Sequence, residues 1–403
     1  MIKLDIIYGH SINLVHGVNY VTDMFVRGKQ YLKNENIILQ YIYHDKGRIK
    51  CENSNTIFED VKEKEGIKIK ESRFKNKLIK ILKSRIFVFE IIRFFIRNYI
   101  PAKKTINNYI NYNNSDCIIF QDFITAYLYF KNKNIEHNKS LLIMHTSGDF
   151  LEMLKSDKPT LYKNKYFRDF YINMFSIASA NVNNLVVLSR VAFDSFPNIS
   201  QDKKVIIHNG IDKFIKTKKQ IYLPQKPSTI KFVCVGHLLK RKGQHLVIQA
   251  ISKLDSRIKD KISLYLIGDG QEKETYKILI DKLNLKDTIF LLGKRSDVPE
   301  LLEKMNVFIS PSFSEGLPIS IIEAIRAGLY VMTTPVGGCA ELIKPEFGEI
   351  IELDSSKISK SIEDLIIRGI PNESCVYAKK YFLENLTLDI MMKKYAKTII
   401  QIQ

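Results

Sequence analysis

Apolar and polar positions along the C-terminal half follow two alternating periods. Short, nearly continuous apolar runs at Ile230–Val235, Ile262–Ile267, Ile289–Leu292, Val307–Ile309 and Leu329–Thr333 predict buried strands. Between and after them, Gln244–Leu254, Glu272–Leu283, Val298–Lys304 and Pro318–Ala327 carry the three-to-four spacing of amphipathic helices. Strands alternating with helices of this length predict a parallel sheet with helices on both faces. The N-terminal half repeats the pattern less cleanly, with strand-like runs at Leu4–Tyr8, Ile37–Tyr41, Cys117–Phe120, Leu141–Met144 and Leu185–Leu188. A segment rich in lysine and proline, Lys213–Thr229, reads as a linker between the halves. The expected fold class is α/β, with two Rossmann-like domains, residues 1–212 and 230–384, whose parallel sheets face a central cleft.

Length agrees with this division, because 403 residues exceed what one hydrophobic core usually organises. The five cysteines, Cys51, Cys117, Cys234, Cys339 and Cys375, form no C-x-x-C pair and suit reduced thiols in a cytosol. The start, MIKLDIIYGH, is too short and polar for a signal peptide and reads as a first strand. No apolar run reaches the length of about 18 residues that suggests a membrane span, so a cytoplasmic protein is expected.

Charge adds one anomaly. The net charge is +19, and residues 62–104 alone hold 14 Lys/Arg against 4 Glu, a local +10. Within Phe74–Ile100, Glu90, Arg93 and Arg97 fall at spacings of three and four beside a broad apolar face. That pattern suits a helix lying on an anionic membrane surface, which would make the protein peripheral on the inner face of the cell membrane. The alternative is a core-facing helix with a solvated basic back. Nucleic acid is a poorer partner, since no stacking aromatics interleave a recognisable binding motif.

The chemistry concentrates in Pro311-Ser-Phe-Ser-Glu-Gly-Leu-Pro-Ile-Ser-Ile-Ile-Glu323. Glu315 falls in a loop, with Gly316, Leu317 and Pro318 turning the chain into the helix that carries Glu323. Pro318 suits the first helical position and Gly328 the end. Glu323 then lies about 7.5 Å inside the helix. Two acceptors so placed, near helix N–H groups, could grip hydroxyl-bearing parts of an anionic ligand such as a nucleotide sugar. Taken singly, Glu323 could be a surface partner of Arg326, and Glu315 a carboxylate stabilising a helix start.

Val235-Gly-His-Leu-Leu-Lys-Arg-Lys-Gly-Gln244 joins a strand end to a helix start, where phosphate is favoured. Lys242 would supply charge to a diphosphate, with Gly236 and Gly243 keeping the backbone close. An ordinary basic loop is the alternative. Gly268-Asp-Gly270 is either a tight turn or a ligand contact. Gly293-Lys294-Arg295 ends a strand at the same sheet edge, where backbone groups could hold a base. In the N-terminal half, His145 follows the run Leu141–Met144 and could meet a sugar, with Asp149 a further polar candidate. Gly17 closes the loop that begins at Gly9 and could bring an N–H to a phosphate, or serve a simple turn.

These residues resemble a family. Phe308–Gly328 and Thr334-Pro-Val-Gly-Gly-Cys-Ala-Glu341 are similar to the retaining glycosyltransferases of family 4, whose E-x7-E motif appears as Glu315 and Glu323. Gly236 with Lys242-Gly243, Gly268-Asp-Gly270, Gly293 with Asp297-Val-Pro, and Asn209-Gly-Ile-Asp212 add to the match. It is dense from Asn209 to Leu353 and thin before. The resemblance implies a GT-B fold with a nucleotide-sugar-binding C-terminal domain and a final helix, about 385–403, packing back on an acceptor-binding N-terminal domain. It implies Glu315 near the transferred sugar, Glu323 on the ribose, Lys242 on the departing diphosphate and His145 touching the sugar. Gly17, Gly236, His237, Arg241, Gly268, Lys294, Arg295, Gly316 and Leu317 complete the expected donor contacts. No cofactor or metal is implied, and no Asp-x-Asp is present. The implied partners are a nucleoside-diphosphate sugar, expected in its uridine form, and a glycan or lipid-linked acceptor in surface-polysaccharide synthesis. One departure stands out: His237 occupies the place where the family usually has an arginine. An epimerase on the same fold and a non-catalytic basic binding protein are the competing readings.

Overall fold

A computed structural model describes residues 1–9, 17–52, 54, 86–112, 114–132, 136–147, 150–213 and 229–403. The chain divides into two compact units, Met1–His208 with Asp389–Gln403, and Asn209–Leu388. Both are α/β units built on sheets that are wholly or mainly parallel.

The N-terminal unit has seven strands: β1 (Ile2–Ile7), β2 (Ile37–His44), β3 (Gly47–Lys50), β4 (Cys117–Phe120), β5 (Lys139–Met144), β6 (Asn184–Val187) and β7 (Lys204–Ile206). Their spatial order is β3-β2-β1-β4-β5-β6-β7. Six run parallel, while β3 pairs antiparallel with β2 through a tight turn ending at Gly47. The sheet is thus the expected parallel one with an antiparallel strand added at its edge. In the half-polar run Gly-Arg-Ile-Lys, Gly47 and Ile49 are half-buried while Arg48 and Lys50 are exposed, and such antiparallel edge strands are common on parallel sheets. The β1–β2 register shifts between Leu4 and Asp5, where the Tyr41 N–H donates to Asp5 Oδ1 at 3.1 Å. Burial pushes the Asp5 carboxyl up to about 7 against a smaller opposing effect of that bond.

The basic stretch is helical over Ile86–Phe94, passes through a π turn at Phe95–Tyr99, and continues as Ile100–Ile110. Phe74–Arg85 and most of the linker lie outside the described residues. The final helix, Leu388–Gln401, joins the N-terminal unit from Asp389 onward. Buried Tyr395 meets Phe25 edge-on at 4.7 Å, and Met392 lies so close to Gly28 that a Cβ there would come within 2.5 Å.

The C-terminal unit holds β8 (Ile230–Val235), β9 (Ile262–Ile267), β10 (Ile289–Gly293), β11 (Val307–Ser310), β12 (Tyr330–Thr333) and β13 (Gly348–Ile350), in the order β10-β9-β8-β11-β12-β13. All are parallel. Strand order reverses between β8 and β11, and such a reversal leaves room for a ligand beyond the strand ends. Asn209–Asp212 belong to this unit: Ile211 N–H donates to Leu386 O at 3.0 Å and Leu388 N–H to Ile211 O at 2.9 Å.

Candidate functional site

Four loops meet at the carboxyl ends of β8, β9, β11 and β12, and glycines let their backbones touch. Gly243 (φ +67°) lies so close to Pro311 O that an added Cβ would sit 1.9 Å from it. Gly268 (φ +145°) stands equally close to Gly236 O, and Gly337 (φ +54°) to Glu315 O. Each position needs glycine both for its positive φ and for the approach. Gly338 N–H donates to Gly316 O at 2.7 Å, so the loop after β12 holds the glutamate loop in place.

Side chains complete the scaffold. Asn209 Nδ2 donates to Leu317 O at 3.0 Å, and Thr334 Oγ1 to Ser312 O at 2.6 Å. Arg241 receives the Phe313 N–H on its carbonyl and donates from Nη1 to Ser314 O. Buried Gln244 donates from Nε2 to His237 O at 2.9 Å. Leu317 is buried, while His237 and Lys294 are exposed.

Glu315 is 8% exposed in this frame. Lys242 Nζ lies 2.5 Å from its Oε1, Ser312 Oγ donates to the same oxygen at 2.7 Å, and Arg241 Nη1 stands 3.7 Å from Oε2. The aliphatic stem of Lys242 runs over Gly236. A carboxylate out of water requires such compensation, and here the compensating cations come from the β8 loop. The pair straddles the point of strand-order reversal. Burial pushes the nearby Cys234 and Cys339 thiols up to about 12, which keeps them protonated.

Glu323 stands half-buried on the helix Ile319–Ala327. Pro318 caps that helix from outside instead of forming its first residue, and Gly328 closes it in the left-handed region. Arg326, the suggested partner of Glu323, donates from Nη1 to Asp212 O at 3.1 Å. Arg295 is held in a local fork by Asp297, with Nη2–Oδ2 at 2.5 Å and Nε–Oδ1 at 2.8 Å.

Two candidates belong to the N-terminal unit. His145 follows β5, and its Nε2 lies 2.7 Å from Gln121 Oε1 at the end of neighbouring β4. Loss of solvent around the ring pushes its pKa down to about 4, so it is neutral at ordinary pH. Gly17 is the first residue of the helix Gly17–Arg27. Asp149 lies outside the described residues. Sequence reasoning did not single out Ser312, Gln244 or Gln121. A polar residue opening a helix directly after a positive-φ glycine is the signal that Gln244 offered.

Residues 215–381 match the family model described as Glycosyl transferases group 1. That matched segment is a module within the C-terminal unit, and Lys242, Glu315 and Glu323 all lie inside it. The Escherichia coli UDP-Gal:alpha-D-GlcNAc-diphosphoundecaprenol alpha-1,3-galactosyltransferase is 32% identical over 160 residues, 37% of this chain and 41% of that protein. The Escherichia coli O-antigen biosynthesis glycosyltransferase WclY is 28% identical over 229 residues, 50% of this chain and 63% of that one. Each match thus spans less than two thirds of the relative. Among solved structures, Anabaena HepE in complex with UDP aligns over 100% of both chains with a TM-score of 0.68 at 15% identity, which shows a shared GT-B fold around the module.

Proposed function

We propose that the protein is a retaining glycosyltransferase, moving a hexose from a UDP-type nucleotide sugar to a glycan or lipid-linked acceptor in surface-polysaccharide assembly. The observation that carries this reading is the Lys242–Glu315 pair at the strand-order reversal of the group 1 module. Lys242 faces the leaving diphosphate and Glu315 the transferred sugar, while Glu323 holds the ribose and His145 offers a neutral imidazole to the sugar. A bound diphosphate would draw Lys242 and Arg241 toward itself, stabilising charge on the leaving group without water reorganisation. Metal-independent chemistry is part of the proposal. Supporting it are the UDP named with HepE and the UDP-Gal donor and diphosphoundecaprenol-linked acceptor named for the E. coli relative.

The test is release of nucleoside diphosphate from a set of nucleotide sugars, with and without polyprenyl-diphosphate acceptors and with a chelator added. Acceptor-dependent release, lost in Glu315→Gln and Lys242→Ala and untouched by chelation, is the expected result. Turnover of donor without acceptor would instead favour an epimerase. Unchanged release in both variants would remove these residues from the site.

A further inference from the structure

The helix Ile86–Ile110 has one face fixed and another left apolar in solvent. On the fixed face Phe94 is 2% exposed, meets Phe167 edge-on at 5.0 Å and lies under Lys158 Nζ, while Phe95 stacks on Phe170. Ala102, Thr105, Ile106 and Tyr109 continue that face as buried residues. The helix therefore cannot turn its other side inward. On that other side Val88, Ile92, Ile96 and Ile100 are 39%, 37%, 59% and 45% exposed.

Their spacing of four makes a row, and the π turn reduces its drift. Four residues exceed one α turn of 3.6, so such a row drifts around an α-helix. A π turn holds more residues per turn, so four fall short of it and the drift reverses. Lys104 extends the row one step further, for a total length of about 24 Å. Arg93 and Arg97 follow Ile92 and Ile96 by one position, and Lys103 precedes Lys104. The side chains of Arg97, Lys103 and Lys104 are exposed. Glu90 is the one acidic residue in 86–110, and Arg93 Nη1 stands 3.6 Å from it.

We infer that this face docks on an anionic lipid surface. Branched aliphatic side chains flanked by long cationic ones suit the boundary between acyl chains and headgroups, where the stems lie along the apolar zone and the charges reach phosphate. Charge complementarity favours acidic lipid over a second copy of this chain, whose matching face would bring the same cations together. Among the described residues no helix is long and apolar enough to cross a membrane, so the contact lies along the surface. The inference does not depend on the chemistry proposed above.

The experiment is co-sedimentation of the full chain with phosphatidylcholine–phosphatidylglycerol vesicles and with pure phosphatidylcholine vesicles, at low and high salt. Binding is expected to the first, weakened by salt. Arg97→Gln/Lys103→Gln/Lys104→Gln should lower the partition coefficient at least tenfold, given about 1 kcal/mol per basic residue at such a surface. Ile92→Ser/Ile96→Ser should lower it with the salt dependence retained. Because every substituted side chain is exposed, unchanged thermal unfolding is expected to accompany the loss. Equal sedimentation of wild type and both variants overturns the inference. So does self-association in solution, abolished by Ile92→Ser/Ile96→Ser, with no vesicle binding.

Discussion

Gly337→Ala tests whether the backbone contacts between loops set the position of Glu315. The added methyl meets two penalties. The residue sits at φ +54°, where a side chain costs about 1–2 kcal/mol. Its Cβ also falls 1.9 Å from Glu315 O and 2.8 Å from Gly316 O, whereas real Cβ contacts essentially never lie below 3.0 Å. At least 1.1 Å of movement must therefore open between the two loops, and the carbonyl that moves belongs to the glutamate itself. A misplacement of about 1 Å costs on the order of 100-fold in rate. The assay is kcat for nucleoside diphosphate release, run beside thermal unfolding. Gly369→Ala is the control: φ is +78° there, but nothing lies within 4 Å of an added Cβ. It should lose roughly 1–3 kcal/mol of stability through backbone strain while turning over normally. A Gly337→Ala protein with wild-type kcat and lowered stability would refute the reasoning, because the loop would then have absorbed the methyl without displacing the carboxylate.

Three further outcomes follow from named groups. Lys242→Met should cost about 3 kcal/mol by stranding a buried carboxylate, and adding Glu315→Gln should restore most of that stability without restoring activity, as chemical denaturation and turnover would show. Asp5 has its pKa raised to about 7 from 3.8, so between those values the unfolded chain releases a proton that the folded one keeps, and stability falls as pH rises. Asp5→Asn should remove that fall, gaining roughly 4 kcal/mol relative to wild type at pH 7, measured by urea unfolding across pH. His145 acts with the opposite sign: its pKa is lowered to about 4, so its contribution is complete above the ordinary histidine value and is lost as pH falls toward 4. An NMR titration of its ring should show no midpoint near 6.5 in the folded chain, and Gln121→Leu, which removes the acceptor from Nε2, should move the low midpoint further down.

The strands of the C-terminal unit were legible because a parallel strand buried on both faces is written as a bare apolar run. Ile230–Val235 and Ile262–Ile267 coincide with β8 and β9. β3, β7 and β13 sit at sheet edges, each strand carries at least one charged residue, and their three or four residues leave no periodic signal. The glutamates stood out through their spacing. Their environment did not, since Thr334 and Asn209 act through carbonyls distant in sequence, and a serine three residues before the glutamate carries no signal that its hydroxyl meets the carboxylate. Arg241 and Arg295 show the same limit. One is drawn to the glutamate loop and the other to Asp297, a difference that similar basic loops do not reveal.

The glycine contacts also decide what kinds of change the module can accept. Its loops are locked to one another through main-chain atoms, so exposed side chains such as His237, Phe313 and Lys294 can be exchanged without disturbing the frame. A saturation-mutagenesis scan should therefore give a banded map, with Gly243, Gly268 and Gly337 rejecting every substitution and their exposed neighbours accepting most. Transplanting one loop from a relative would break the lock, whereas transplanting all four together would carry it along.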